Sequence, residues 1–306
     1  MRFILSIITI LICSGQYESS DKVESKQLIR KLVPLFFSSR NDDQNKKEVS
    51  SFSILDSEAI YKKLMSLAKS YPDYSTLENA QDVYNLLAAG NETDCLFEKT
   101  GSKKTNATSD KGCKNWIFTI EDKTEASNKK LPEIFLSAGI HGDEIIGPTA
   151  LVELASLLLE VSHCESLPNA EAPSSSDWDD QLTEALHCRR ALASRGITNY
   201  YRKWIARLVT TRRILILPIV NSLGFYRKER LENNIDPATD FPFDKKNSKR
   251  CMETISARAI NEIFRNHMFY IAVNFHSGNQ QIAYNWAKPS YLGAYAPDNE
   301  AQKQIG

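Results

Sequence analysis

Leu131-Pro-Glu-Ile-Phe-Leu-Ser-Ala-Gly-Ile-His141-Gly-Asp143-Glu144 reads as a strand that runs into a turn. From Glu133 to Ile140 the run is nearly continuous apolar sequence, without the alternation expected of a strand with one wet face. Ile145 to Val161 follows, rich in Leu, Ala and Val and long enough for a buried helix, with Pro148 tolerable in its first turn. Arg213-Ile-Leu-Ile-Leu-Pro-Ile-Val220 repeats the buried-strand pattern. A helix centred on Ser256 to Asn266 (Met252, Ile255, Ala259, Ile263) then leads into Phe269-Tyr-Ile-Ala-Val-Asn-Phe275, a further strand. Strands that alternate with helices and are apolar on both faces predict an α/β fold with a largely parallel sheet covered on both sides.

Outward from this core, Asp56 to Lys69 has helical apolar spacing (Ile60, Leu64, Leu67) behind a candidate Asp56 cap, and Pro72 follows. Trp116 to Glu121 alternates like a strand. Residues 163 to about 185 break the pattern with prolines, serines and acids, as a surface insertion would, and a basic helical stretch runs from Leu182 to Thr210. The domain so outlined spans 51–306, behind a polar lead-in or propeptide-like segment at 16–50, and there is no internal repeat.

The chain has 306 residues and balances 38 Lys+Arg against 38 Asp+Glu, so no net field draws it to nucleic acid or an acidic membrane surface. Met1-Arg2, an apolar stretch from Phe3 to Cys13 and the small residues Cys13-Ser14-Gly15 have the layout of a cleaved signal peptide over 1–15. The run is shorter than a membrane span, and no other segment is apolar for long enough to cross a bilayer. Secretion is therefore expected. Asn91-Glu-Thr93 and Asn106-Ala-Thr108 are glycosylation acceptors. Short loops favour the disulfides Cys95–Cys113 and Cys164–Cys188 in an oxidising compartment, which leaves Cys251 outside the pairs.

The chemistry lies at the strand ends. His141 and Glu144 sit three positions apart on the turn after one strand, and His276 ends another. If the two strands are neighbours, two imidazoles and a carboxylate converge, a ligand set for a catalytic zinc that keeps a position open for water. Strand C-terminal ends are also where open α/β sheets place their sites.

These motifs resemble the zinc carboxypeptidases of the carboxypeptidase A type, whose ligands are His-x-x-Glu and a distant His. Pro218-Ile-Val-Asn221-Ser-Leu-Gly224 is similar to that family's Pro-x-x-Asn-Pro-Asp-Gly turn, and Phe225-Tyr-Arg227-Lys-Glu-Arg230 to the segment that supplies a catalytic arginine. Ile235-Asp236-Pro237, Cys251 to Arg258, Phe275-His-Ser-Gly278 and Ile282 to Trp286 extend the resemblance over about residues 56–306. It implies a three-layer α/β/α fold with a mixed sheet, whose last strands and helices lie beyond Gly306. It also implies a monomer that hydrolyses peptide or protein C-termini by a zinc-activated water. His141, Glu144 and His276 would hold one Zn2+, Asp236 would accept the other N–H of His141, and Arg230 would polarise the scissile carbonyl. Arg227 is a weaker candidate for contacting substrate.

Two departures stand out. Ala238-Thr239 replace the Asn-Arg pair that grips a substrate's terminal carboxylate, removing a bidentate guanidinium unless Lys245 or Lys246 substitutes for it. The family's general-base Glu would fall well downstream of Gly306, and Glu300 is too early for it. The sequence is then either a truncated form of an enzyme or a naturally short, inactive relative that binds zinc or peptide. His163-Cys164 and His187-Cys188 could also form a closed zinc site, although a disulfide between these cysteines is the stronger expectation.

Overall fold

The structure, a computed structural model, describes residues 53–97, 112–167, 176–241, 251–278, 282–283 and 299–305. The chain divides into two compact units. Leu55–Asn279 forms one, and the two chain ends form the other. The signal and lead-in segments, Asn106, Lys245, Lys246 and Trp286 lie outside the described residues.

In the larger unit the elements run α1 (Ser57–Ser70), β1 (Ser75–Asn79), α2 (Ala80–Tyr84), β2 (Trp116–Ile120), α3 (Lys123–Asn128) and β3 (Glu133–Ala138). They continue as α4 (Ile146–Ser166), α5 (Ser176–Ser194), α6 (Asn199–Thr211), β4 (Arg213–Leu217), α7 (Ser222–Arg227), a 3-10 turn (Pro237–Thr239), α8 (Ile255–Asn266) and β5 (Phe269–Phe275). The five-stranded sheet has the order β1-β2-β4-β3-β5. β4, β3 and β5 are parallel, whereas β1 and β2 join antiparallel at one side. The sheet is thus mixed and parallel around β3.

Alternate side chains along each strand serve opposite layers. Ile117, Phe135, Leu215 and Leu217 pack with Ala80 of α2 and with Ala259 and Ile263 of α8. On the other face Ala138 and Phe275 approach the first turn of α4 so closely that a Cβ on Gly147 would lie 3.1 Å from each of their Cβ atoms. Leu151, Leu154, Leu158 and Leu159 of α4 are fully buried, and each contributes about 1.5–3 kcal/mol relative to exposure. The result is three layers.

The local signals act as their chemistry requires. The Asp56 carboxylate accepts from the Ala59 amide and caps α1. The basic stretch at Leu182–Thr210 is helical and divides between α5 and α6. Gly196 takes a φ of +81°, and Ile197 N–H donates back to Leu192 C=O while Gly196 N–H donates to Ala193 C=O, a left-handed stop that no side chain opposes. α4 continues past Val161 to Ser166, so the start of the expected insertion is helical. Cys95–Cys113 and Cys164–Cys188 are both bonded, and Cys251 belongs to neither. With Cys164 and Cys188 so joined, their thiolates are not available to a second zinc site, and His163 instead faces Glu184 at 3.3 Å.

Candidate metal centre

β3 is buried along its whole length and stops at Gly139, whose φ of +60° turns the chain out of the sheet. The following loop carries His141, Gly142 and Glu144. Gly142 admits no side chain, because a Cβ there would fall 2.2 Å from the Gly224 carbonyl carbon and 2.3 Å from the Glu229 oxygen. Gly142 N–H donates to the Arg230 carbonyl at 3.2 Å, and so does the Asn221 amide, also at 3.2 Å. Asn221 in turn caps α7 by accepting from Gly224 N–H. The loop bearing His141 and the segment bearing Arg230 are therefore one packed joint.

β5 runs parallel beside β3, with Ala138 level with Phe275, so His276 leaves its strand next to the His141 loop. His141 Nδ1 lies 2.8 Å from Glu144 Oε1, and His276 Nδ1 lies 2.9 Å from Glu144 Oε2. One donor atom from each of the three residues falls within 4.8 Å of the others, the one such group among the described residues. His141 and Glu144 are buried, whereas the His276 side chain is 46% exposed. Two ring nitrogens and a carboxylate this close together are a donor set that fits the preferences of zinc.

Around these three, Asp236 Oδ1 lies 3.2 Å from His141 Nε2 and also accepts from the Ala238 amide. Arg230 reaches inward, with Nη1 3.2 Å from Glu144 Oε1 and Nη2 3.1 Å from His141 Nε2. Burial pushes the Glu144 carboxyl up, but the His141 hydrogen bond, the Ser277 amide and the charges of both imidazoles outweigh it and hold it below the usual carboxylate range. That Ser277 amide, 3.1 Å from Glu144 Oε2, had no signal in the sequence beyond its place after His276.

Arg227 is placed elsewhere. Its guanidinium forms a two-point pair with Asp94, at 3.2 and 2.8 Å, on the disulfide-bearing loop. Ala238 and Thr239 are exposed in the turn after Asp236, and the Thr239 hydroxyl donates to the Asp236 carbonyl. An open groove of about 430 Å³ beside Lys129, Glu133 and Arg213 lies at the start of β3, the opposite end of the sheet from this cluster.

A family profile described as zinc carboxypeptidase matches residues 92–166, the stretch that includes His141 and Glu144. No curated protein sequence matches. Among solved structures, bovine thrombin-activatable fibrinolysis inhibitor, in complex with tick carboxypeptidase inhibitor, is similar at 13% identity and a TM-score of 0.47, over 81% of this chain and 68% of that one. The carboxypeptidase A of Helicoverpa armigera is similar at 14% identity and a TM-score of 0.47, over 92% of this chain and 59% of that one. This chain therefore spans about three-fifths of the length of the insect protein.

Proposed function

We propose that the chain is a zinc-dependent, metallocarboxypeptidase-like hydrolase acting on the C-termini of peptides or proteins. The observation that carries this reading is the gathering of His141 Nδ1 and His276 Nδ1 against the Glu144 carboxylate, with one ligand atom from each residue within 4.8 Å of the others. The family profile over 92–166, which includes His141 and Glu144, supports it.

Zinc held by these three residues would supply Lewis acidity toward a carbonyl and acidify water near neutral pH. The chain's own groups do the rest. With zinc bound, the Asp236 carboxylate, 3.2 Å from His141 Nε2, would accept from an Nε2–H and so orient the ring for Nδ1 to hold the metal. Arg230, with its side chain about half exposed and its guanidinium against Glu144 and His141, is close enough to the three ligands to donate to a substrate carbonyl as negative charge develops there. Exposed Ala238 and Thr239 offer no cation for a terminal carboxylate, and the Thr239 hydroxyl already donates to the Asp236 carbonyl. That feature favours a second reading, an inactive protein of the same fold that binds zinc or peptide. Two disulfides are consistent with our further proposal that the protein is secreted, and exposed Asn91 is the described candidate for its glycosylation.

The test is a zinc titration of the chelator-treated full chain, followed by an assay on peptides with free and amidated C-termini. One zinc per chain, with residue release that stops on chelation and returns on zinc addition, is the expected result. One zinc without cleavage selects the binding protein. Failure to bind zinc sinks the hydrolase, and failure to bind zinc or either peptide sinks both.

A further inference from the structure

The segment that presents Asp236 to His141 is fastened at both of its ends to the same helix terminus. Glu232 is 2% exposed although it carries a carboxylate. Its Oε1 accepts from the Ile255 amide at 2.6 Å, and its Oε2 accepts from the Ser256 amide at 3.1 Å and from the Ser256 hydroxyl. These are first-turn donors of α8, which would otherwise lack acceptors, and the positive end of the helix dipole favours the charge. Asp240, 5% exposed, grips the neighbouring residue through the Thr254 amide at 2.7 Å and its hydroxyl at 2.8 Å. Between these two feet, Glu232 and Ile235 exchange both backbone hydrogen bonds, 2.9 and 3.0 Å, around Asn233 and Asn234. Both asparagines have positive φ (50° and 66°), the geometry of a tight two-residue reversal. Asp236 is the next residue, 3.2 Å from His141 Nε2. α8 is itself locked to the sheet by Ala259 and Ile263.

We infer that Glu232 is a positioning residue for the metal centre: by gripping the N-terminus of α8 it fixes the Asn233-Asn234 reversal and so sets the Asp236 carboxylate against His141. The inference rests on the metal-centre reading above, but it also makes a claim about the metal-free chain.

Glu232→Gln keeps one acceptor and turns an NH2 toward the Ser256 donors. Zn2+ affinity of the full chain is measured by chelator competition for wild type, Glu232→Gln, Asp236→Asn, the double variant and Asp56→Ala, a loss of the α1 cap remote from the centre. Asp236→Asn is expected to weaken zinc roughly 10–100-fold. Glu232→Gln should weaken it about tenfold, and the double variant no more than Asp236→Asn alone. Asp56→Ala should lower thermal stability with unchanged zinc affinity. Additive losses, or wild-type affinity in Glu232→Gln, overturn the inference. Amide exchange at Ile235 and Ala238 in metal-free protein gives the second readout, since Ala238 N–H donates to Asp236 itself. Exchange there should quicken about tenfold in Glu232→Gln and stay unchanged in Asp56→Ala. Unchanged exchange in Glu232→Gln overturns the inference whatever zinc does. Quickened exchange in a protein that binds no zinc supports the positioning of Asp236 and overturns the metal reading alone.

Discussion

β3 and β5 lie side by side and each delivers an imidazole, yet they are built differently. β3 is buried at every residue, and its loop is seated against backbone. β5 alternates. Tyr270, Ala272 and Asn274 are exposed, Ile271 and Val273 are half-buried, and Phe275 is buried. One half of the centre is thus set by the packed interior, whereas the other half is an exposed side chain on a half-wet strand. Pre-organisation at this site is uneven, and substitutions matched across the two strands should expose the difference.

The largest contrast is expected at glycine. Gly142→Ala drives a Cβ into three backbone atoms of the 224–229 segment and should cost more than about 3 kcal/mol in thermal or denaturant unfolding. Gly278→Ala, near His276, meets nothing within 4 Å and suffers only from its φ of +103°, a cost of about 1–2 kcal/mol. Equal losses would break the contrast. Next come Leu136 and Val273, which are level in the parallel register. Leu136→Ala should lose about 3 kcal/mol from a fully buried site, and half-buried Val273→Ala about 1 kcal/mol.

The ligands themselves should follow the same order in metal-free protein. His141→Ala strips a buried hydrogen-bond partner from Glu144 and another from Asp236, which we expect to cost about 2 kcal/mol. His276→Ala, at a half-exposed side chain, strips one partner from Glu144 Oε2 but leaves it the Ser277 amide, and should cost about 1 kcal/mol by the same unfolding measurement.

The last effect, which vanishes in acid, concerns the link between the two strands. Glu133, at the start of β3, accepts from the Met268 amide and faces His267 at 3.0 Å, just before β5. Burial pushes its carboxyl up, but the His267 hydrogen bond, the Met268 amide and the nearby charges of His267 and Arg213 hold it below the usual range. A depressed carboxylate stabilises the fold above its unfolded pKa of about 4.3, and that contribution is lost as pH falls through the lower folded value. Glu133→Gln should therefore cost about 1 kcal/mol near pH 6, with the gap to wild type closing below about pH 4. A gap that stays constant with acidification would show that the charge at Glu133 is not what ties the strands together.

The same contrast explains what the sequence disclosed. β3, β4 and α4 were legible because burial on both sides writes uninterrupted apolar runs, and β5 stood out by its β-branched and aromatic residues between two polar segments. β1, Ser-Thr-Leu-Glu-Asn, carries one apolar residue in five, and antiparallel pairing with β2, which propensity does not encode, makes it a strand. The division between α5 and α6 rested on Gly196, a single residue within a helical pattern. At the centre, His141, Glu144, Asp236, Arg230 and His276 were named from motifs, and the structure gathers them. Glu232 and Asp240 were not, because their partners at Thr254, Ile255 and Ser256 lie 14 to 24 positions away, beyond any local pattern. A hydrogen bond to a backbone amide also asks nothing of the partner's side chain. Arg227, a candidate substrate contact by its motif, pairs with Asp94 across 133 positions, which no local pattern reveals.

The contact of Gly142 with Gly224 and Glu229 also bears on how portable this site is. Two stretches remote in sequence share one backbone-to-backbone seam, with no side chain between them to trim or enlarge. A designer who transplanted the His141 loop alone onto another scaffold would leave behind the surface that gives it its shape. The transferable module is the loop together with residues 221–230, and insertions would be tolerated outside that pair of segments rather than within either.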